Sequence, residues 1–493
     1  MRCVRCAGRA ATIGVAAAGA RGRPPAAPAA ADGGGPIPPG VTTERSAVYV
    51  PCSRWGSLMA SHLESPARFT QRTASLLAQL RRPAAPRDDV EQPPPFLGGA
   101  AASALTITPP ELRLAKIKAA KLTGPQELTI VAGDVPVLEN CPPGSILVRA
   151  RWASICGSDL PSFRQTSPVQ SRPPNSYWDR DGFCGHEVVG TVIASKSKKF
   201  QVGDFALSLP TSYFKSHAGG KQDWYREEIH GVLLEPFPEV ETRGAFTEIY
   251  TSHELYSWPI SELSQSMVTA QGLGCILRMA RKLGWSRDGS PNSQVRGKTV
   301  AVLGQGQNGL IASKVMRMMG AAQVLGIDPV ADRLAVSATM GCTHTATPET
   351  WPEVLQTMPG TDRPDGGKGV DYVLEMVGHN QHTIEIAMDL CKPSATIVCF
   401  GVPDDSTYSF PYQKWFRANL TMIASVTPDP GVDFPEAVEM MEAGEFEADA
   451  LYTHVFKLEE VQKAFEISSN YTDGVIKMVF DVPQPKAGEL VVL

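Results

Sequence analysis

The chain lacks the features that would tie it to nucleic acid or to lipid. Its 46 Lys and Arg residues face 51 Asp and Glu, a formal net charge of -5, so no cationic field exists to attract nucleic acid or an anionic membrane. No apolar run approaches the roughly 20 residues that span a bilayer. Its ten cysteines, at 3, 6, 52, 141, 156, 184, 275, 342, 391 and 399, lack the dense regular spacing of a secreted disulfide scaffold, which points to a reducing compartment. Acidic residues are missing altogether before Asp32, a stretch that holds five arginines and is rich in Ala, Pro and Gly. Such a composition builds no core. It suits an organellar targeting peptide or a plain extension, and composition separates the two poorly. Cys3 and Cys6 form a Cys-x-x-Cys with no second pair and no nearby histidine, so a metal reading has little support.

What is present is a 493-residue chain with 43% hydrophobic content, ample for two cored domains and suited to small-molecule ligands. Cys156-Gly157-Ser158-Asp159 and, further on, Gly185-His186-Glu187 carry the clearest chemistry. A soft thiolate, an imidazole and two carboxylates are what a catalytic zinc needs from its ligands and their supports. Short strand-like segments surround these motifs, beginning with IKAAKL at Ile117 and ELTIVAG, then ILVRARWASI, VVGTVIAS and FQVGDFALSL with a Gly203-Asp204 turn. They predict a small twisted β-barrel up to about Tyr256. GLGCILRMARKL then reads as a helix ending at Gly284, followed by a polar loop.

Beyond that loop, KTVAVLG, AQVLGID, VDYVLEMVG, ATIVCFGV and LTMIASV alternate with helical patterns, the signature of a parallel sheet buried on both faces. Gly304-Gln305-Gly306-Gln307-Asn308-Gly309 follows the first of these strands directly and opens a helix. Glycines Gly304, Gly306 and Gly309 permit a tight turn that brings the helix N-terminus up to a pyrophosphate. The second strand ends in Asp328, nineteen residues after Gly309, where an acid pairs with the ribose diol of NAD and repels the extra phosphate of NADP. Arg333 lies close downstream and offers a partner for that phosphate, so NADP stays open as the lesser choice.

With these motifs the chain resembles the zinc-type medium-chain dehydrogenase/reductases, a family of alcohol, polyol, threonine and glucose dehydrogenases. The resemblance spans about residues 115 to 482 and includes VGD at 202 to 204, GAFTEI at 244 to 249 and the C-terminal VFKLEEVQKAFEI and DGVIKMVF. It implies an α/β protein: a GroES-like β-barrel catalytic domain over 111–284, a Rossmann nucleotide-binding domain over 285–426, and a return to the catalytic domain over 427–493, after an extension at 1–110. It makes Cys156 and His186 zinc ligands, Ser158 the hydroxyl that takes the substrate's proton, Asp159 the partner that fixes the His186 tautomer, and Glu187 a carboxylate beside the metal. Helical alignment puts Gln271 at the third ligand position, with Cys275 as the competing choice. Lys477 matches a basic position that contacts the cofactor diphosphate. Glu375 closes a strand at the sheet's carboxyl edge, where it caps the next helix or borders the ligand. Homo-dimers or homo-tetramers are implied, in the cytoplasm or in an organelle.

Two departures from the family pattern stand out. Pro161 occupies the place of a histidine that relays the proton to solvent, leaving His217, His230 or water as substitutes. Between Leu209 and Gly244 the four cysteines of a structural zinc are absent, so one catalytic zinc per chain is expected. Tyr213, Phe214, Trp224 and Tyr225 stand there instead and, with Tyr177 and Trp178, either line a substrate cleft or pack the lobe. The expected activity is hydride transfer between an alcohol, polyol or sugar hydroxyl and NAD. A zinc-free enone or quinone reductase and a non-catalytic nicotinamide-binding protein are the alternatives.

Overall fold

A computed structural model describes residues 116–164, 182–183, 185–210, 244–403, 407–425 and 428–483. Residues 1–110, with Cys3 and Cys6, lie outside them, as do Tyr177, Trp178, Tyr213, Phe214, His217, Trp224, Tyr225 and His230.

The first half is mostly strand. A hairpin of β1 (Ile117–Gly124) and β2 (Glu127–Gly133) leads to β3 (Ser145–Ser154), helix α1 (Asp159–Arg164), β4 (Glu187–Ser195), β5 (Phe205–Ser208), β6 (Ile249–His253) and β7 (Ser257–Ile260). Helix α2 (Thr269–Arg281) follows, starting three residues before the predicted GLGCILRMARKL segment. Along α2 every residue is buried except the partly buried Cys275, Arg278 and Arg281, which is why this helix can join two cores. The second half alternates: β8 (Thr299–Leu303), α3 (Gln307–Met318), β9 (Gln323–Ile327), α4 (Ala331–Ser337), β10 (His344–Ala346), α5 (Trp351–Thr357), β11 (Val370–Glu375), α6 (His382–Leu390), β12 (Cys391–Cys399), α7 (Tyr412–Arg417) and β13 (Thr421–Ala424). The chain ends in α8 (Asp433–Glu442), β14 (Tyr452–Lys457), α9 (Val461–Asn470) and β15 (Lys477–Asp481).

Six strands pair in parallel in the order β10-β9-β8-β11-β12-β13. All five residues of β8 are buried, as expected of a strand covered on both faces. Between β8 and β11 the direction of winding reverses, and the crevice beyond the carboxyl ends of those two strands is where sheets of this kind bind ligands. The second sheet runs β14-β15-β3-β4-β5-β7, with β6 also on β3. Its pairs are antiparallel except β14 with β15. The C-terminal segment therefore returns to the first sheet, β15 lying directly against β3. One apolar cluster runs from Val189 and Leu207 through Leu273 and Leu277 of α2 to Val300, Leu310 and Phe434, so the two sheets share a core. None of the described helices is long and apolar enough to cross a membrane.

Candidate active site

Strand register brings the two sequence motifs together. In the antiparallel β3–β4 ladder Ser154 stands opposite Glu187. Cys156 lies two residues beyond Ser154 and His186 one before Glu187, so both emerge at the same end of the ladder. A tight turn, with the Asp159 amide donating to the Cys156 carbonyl at 3.0 Å, starts α1. The Asp159 carboxylate then serves both motifs. Its Oδ2 accepts from the Cys156 amide at 2.9 Å, and its Oδ1 lies 3.2 Å from His186 Nδ1. With Nδ1 turned to Asp159, His186 Nε2 is left facing the thiol side, 3.4 Å from Ser158 Oγ, which itself lies 3.2 Å from Cys156 Sγ.

This cluster is dry: His186 and Asp159 are each 1% exposed. Burial works against an imidazolium, but the Asp159 carboxylate and the Cys156 sulfur outweigh it and hold the His186 pKa well above its ordinary value. An imidazole and a thiol that face one another across a hydroxyl, with a carboxylate behind the imidazole, fit a zinc ion. Among the described residues no three His, Cys, Asp or Glu side chains group as a ready-made metal cage. The remaining candidates are Gln271 and Cys275. Helix register does not separate them, because four residues apart they share one face of α2, the Gln271 amide nitrogen 3.6 Å from the Cys275 sulfur. Burial pushes the Cys275 thiol far up, and the Cys156 and Glu187 charges add to the rise, so Cys275 borders the same cluster.

Glu187 turns its carboxylate toward Lys477 rather than toward an open space. Its Oε2 takes hydrogen bonds from the Lys477 ammonium and from Ser154 Oγ, and its Oε1 accepts from the Gln307 amide at 3.3 Å. Lys477 is fully buried at the start of β15, and it also donates to Gln307 Oε1 at 2.5 Å. The sequence gives no sign of this: Gln307 is an unspecified position of the glycine pattern, and its two partners lie 120 and 170 residues away.

The glycine loop has the shape its sequence requires. Gly304 has φ of 89°, and a Cβ on Gly309 would overlap the Gly304 carbonyl oxygen. Gly306 precedes α3, where only the Arg333 guanidinium would come near a Cβ, at 3.9 Å. Asp328 accepts from the Gln305 amide at 2.7 Å and from the Val330 amide at 2.8 Å, so it braces the loop as well as standing at the end of β9. Arg333 lies 3.6 Å from the Asp328 carboxylate and donates to the Val475 carbonyl. Glu375 accepts from the amides of Val377 and Gly378 and from Thr383 Oγ1, which makes it a cap for the turn before α6. Pro161 is buried within α1.

Two family models match the chain, one for the alcohol dehydrogenase GroES-like domain over residues 142–262 and one for zinc-binding dehydrogenases over residues 309–443. The chain belongs to the zinc-type medium-chain dehydrogenase/reductase family. Among curated proteins it is 24% identical over 364 residues to an uncharacterized zinc-type alcohol dehydrogenase-like protein of Escherichia coli, covering 73% of this chain and 96% of that one. It is 23% identical over 369 residues to a D-xylulose reductase of Saccharomyces cerevisiae, covering 74% and 97%. A solved structure of a putative zinc-binding dehydrogenase of Sinorhizobium meliloti bound to NADP matches with a TM-score of 0.58 at 22% identity, over 75% of this chain and all of that one. This dehydrogenase thus has the GroES-like and nucleotide-binding parts expected of it.

Proposed function

We propose that this dehydrogenase oxidises a secondary alcohol, polyol or sugar hydroxyl with NAD, using one zinc ion held by Cys156, His186 and either Gln271 or Cys275. The observation that carries the reading is the joining of a buried Cys156–His186 pair to the dinucleotide loop through Glu187 and Gln307. Zinc at that pair would supply Lewis acidity toward the substrate oxygen, and the nicotinamide the hydride acceptor. Ser158 accepts the hydroxyl proton, a role supported by its Oγ lying between the thiol and the imidazole. Asp159 keeps Nδ1 of His186 protonated, so that Nε2 would be the lone-pair donor to the metal. Glu187 sets the negative charge beside the pair, and Lys477 balances it.

On the nucleotide side, Gly304, Gly306 and Gly309 leave the first turn of α3 open to the diphosphate, while Asp328 offers its carboxylate to the adenosine ribose. That acid supports NAD. Arg333, close enough to offset its charge, supports NADP as a weaker second cofactor. We also infer a homo-dimer or homo-tetramer. β13 stands at an edge of the six-stranded sheet, and Tyr412 and Phe416 of α7, just before it, are exposed.

Metal analysis of the purified chain with a screen of alcohols, polyols and aldoses, followed at the absorbance of the reduced cofactor, tests the reading. About one zinc per chain, lost together with activity in Cys156→Ala, is expected. Active protein without zinc sinks it. A tenfold preference for NADP, about 1.4 kcal/mol, sinks the role given to Asp328.

A further inference from the structure

Between Glu187 and the glycine loop stands a side chain that neither metal binding nor nucleotide binding requires. Gln307 is the first residue of α3. Its amide oxygen accepts from the Lys477 ammonium at 2.5 Å and its amide nitrogen donates to Glu187 Oε1 at 3.3 Å. Lys477 in turn donates to Glu187 directly, closing a triangle of ammonium, carboxylate and amide. An ammonium can only donate and a carboxylate only accept, so the two partners fix which way the amide points. On the α2 side the fit is equally close. A Cβ on Gly272 would lie 2.7 Å from the Gln307 amide nitrogen, which puts this side chain against the helix that carries Gln271 and Cys275.

Gln307 therefore touches β4, β15 and α2, two of which carry proposed zinc-site residues, while its backbone forms the first turn of the nucleotide-binding helix. The amides of that turn have no partners within the helix and attract the negative charge of a diphosphate. Among the described residues Lys477 bonds to one carboxylate, Glu187, across this triangle. An anion arriving at the start of α3 gives one ammonium two negative partners, in a water-poor site where such attraction is strong. Glu187 then keeps less of the Lys477 charge to itself. More of its own negative charge is felt at the Cys156–His186 pair, where it favours a dication.

We propose that Gln307 is a positioning residue that couples the two sites: by holding Lys477 and Glu187 against the first turn of α3, it makes dinucleotide binding strengthen metal retention at Cys156 and His186. The inference rests on the zinc and dinucleotide reading above. Coupling of this kind is reciprocal, so metal must tighten dinucleotide binding by the same factor.

The test is equilibrium competition for zinc between the full chain and a metallochromic chelator, with and without saturating NADH. It is run on wild type, on Gln307→Met, which keeps the length and removes both hydrogen-bonding groups, and on Gln307→Glu, which keeps an acceptor for Lys477 but opposes Glu187. In wild type, NADH should raise zinc affinity at least about fivefold, the low end of ordinary coupling. The NADH affinity of zinc-loaded over metal-free chain, read by nucleotide fluorescence, should show the same factor. Both variants should still bind zinc and NADH, with the factor reduced toward one. A wild-type factor of one overturns the proposal, as does an undiminished factor in Gln307→Met and Gln307→Glu, even when both separate affinities fall. If wild type takes up no zinc or no NADH, the functional reading fails instead.

Discussion

Replacing Lys477 by methionine should destabilise the fold far more than an ordinary lysine substitution. The Lys477 and Glu187 side chains are both 0% exposed, so removing the ammonium strands a carboxylate in the core with, among the described residues, Ser154 and Gln307 as its remaining hydrogen-bond partners. Breaking a buried ion pair from one side costs about 3–5 kcal/mol, because the uncompensated charge remains buried. Removing both charges is another matter. In Lys477→Met with Glu187→Gln the space stays filled, no ion is left behind, and most of the loss should return. The assay is urea unfolding of the chelator-treated chain without cofactor, for wild type, both single variants and the double variant. With a slope of about 3 kcal/mol per M, the Lys477→Met midpoint should fall by about 1 M or more, with the double variant well above it. A loss under about 1 kcal/mol, or a double variant no more stable than Lys477→Met, would refute the account of this pair as a balanced buried charge.

Three other substitutions or conditions probe the two halves of the site. Gly309→Ala should weaken NADH binding at least about tenfold, or 1.4 kcal/mol, measured by nucleotide fluorescence, since its Cβ would displace the Gly304 carbonyl; unchanged binding would show that the loop tolerates the shift. Asp159→Asn should lower zinc affinity about 10- to 100-fold in chelator competition, because the His186 ring loses the carboxylate that fixes its tautomer. In the metal-free chain the His186 pKa is raised well above its ordinary value, so the imidazolium persists below that raised pKa and competes with the metal. Zinc affinity should therefore climb as pH rises toward that raised pKa, with a proton released on binding. Calorimetry in buffers of different ionisation enthalpy would detect that proton, and a pH-independent affinity would contradict it.

Much of the site is legible in the sequence because its elements are local. Cys156, Ser158 and Asp159 lie within one turn, and His186 and Glu187 are adjacent, so only one strand pairing is needed to unite them. The glycine loop is likewise a single strand-to-helix connection, and its spacing carries its geometry. Lys477 is different. Its ammonium meets a carboxylate 290 residues earlier, through the pairing of β15 with β3 and of β3 with β4, and nothing near it in the chain marks it as buried. Gln307 escapes notice for a related reason, since the glycine pattern leaves its position free and only tertiary packing gives it partners. The choice between Gln271 and Cys275 cannot come from helical periodicity when both occupy one face.

The strand order of the seven-stranded sheet has a consequence for synthesis on the ribosome. β15 lies between β14 and β3, with Val479 opposite Ser154, so the edge of β3 that it covers waits for more than three hundred further residues to be made. The six parallel strands, all between Thr299 and Ala424, can pair before then. During that interval the emerging chain holds a nucleotide-binding half ahead of an unfinished barrel whose open strand edge invites wrong partners. Translation that stalls between β13 and β15 should therefore yield a product that chaperones hold.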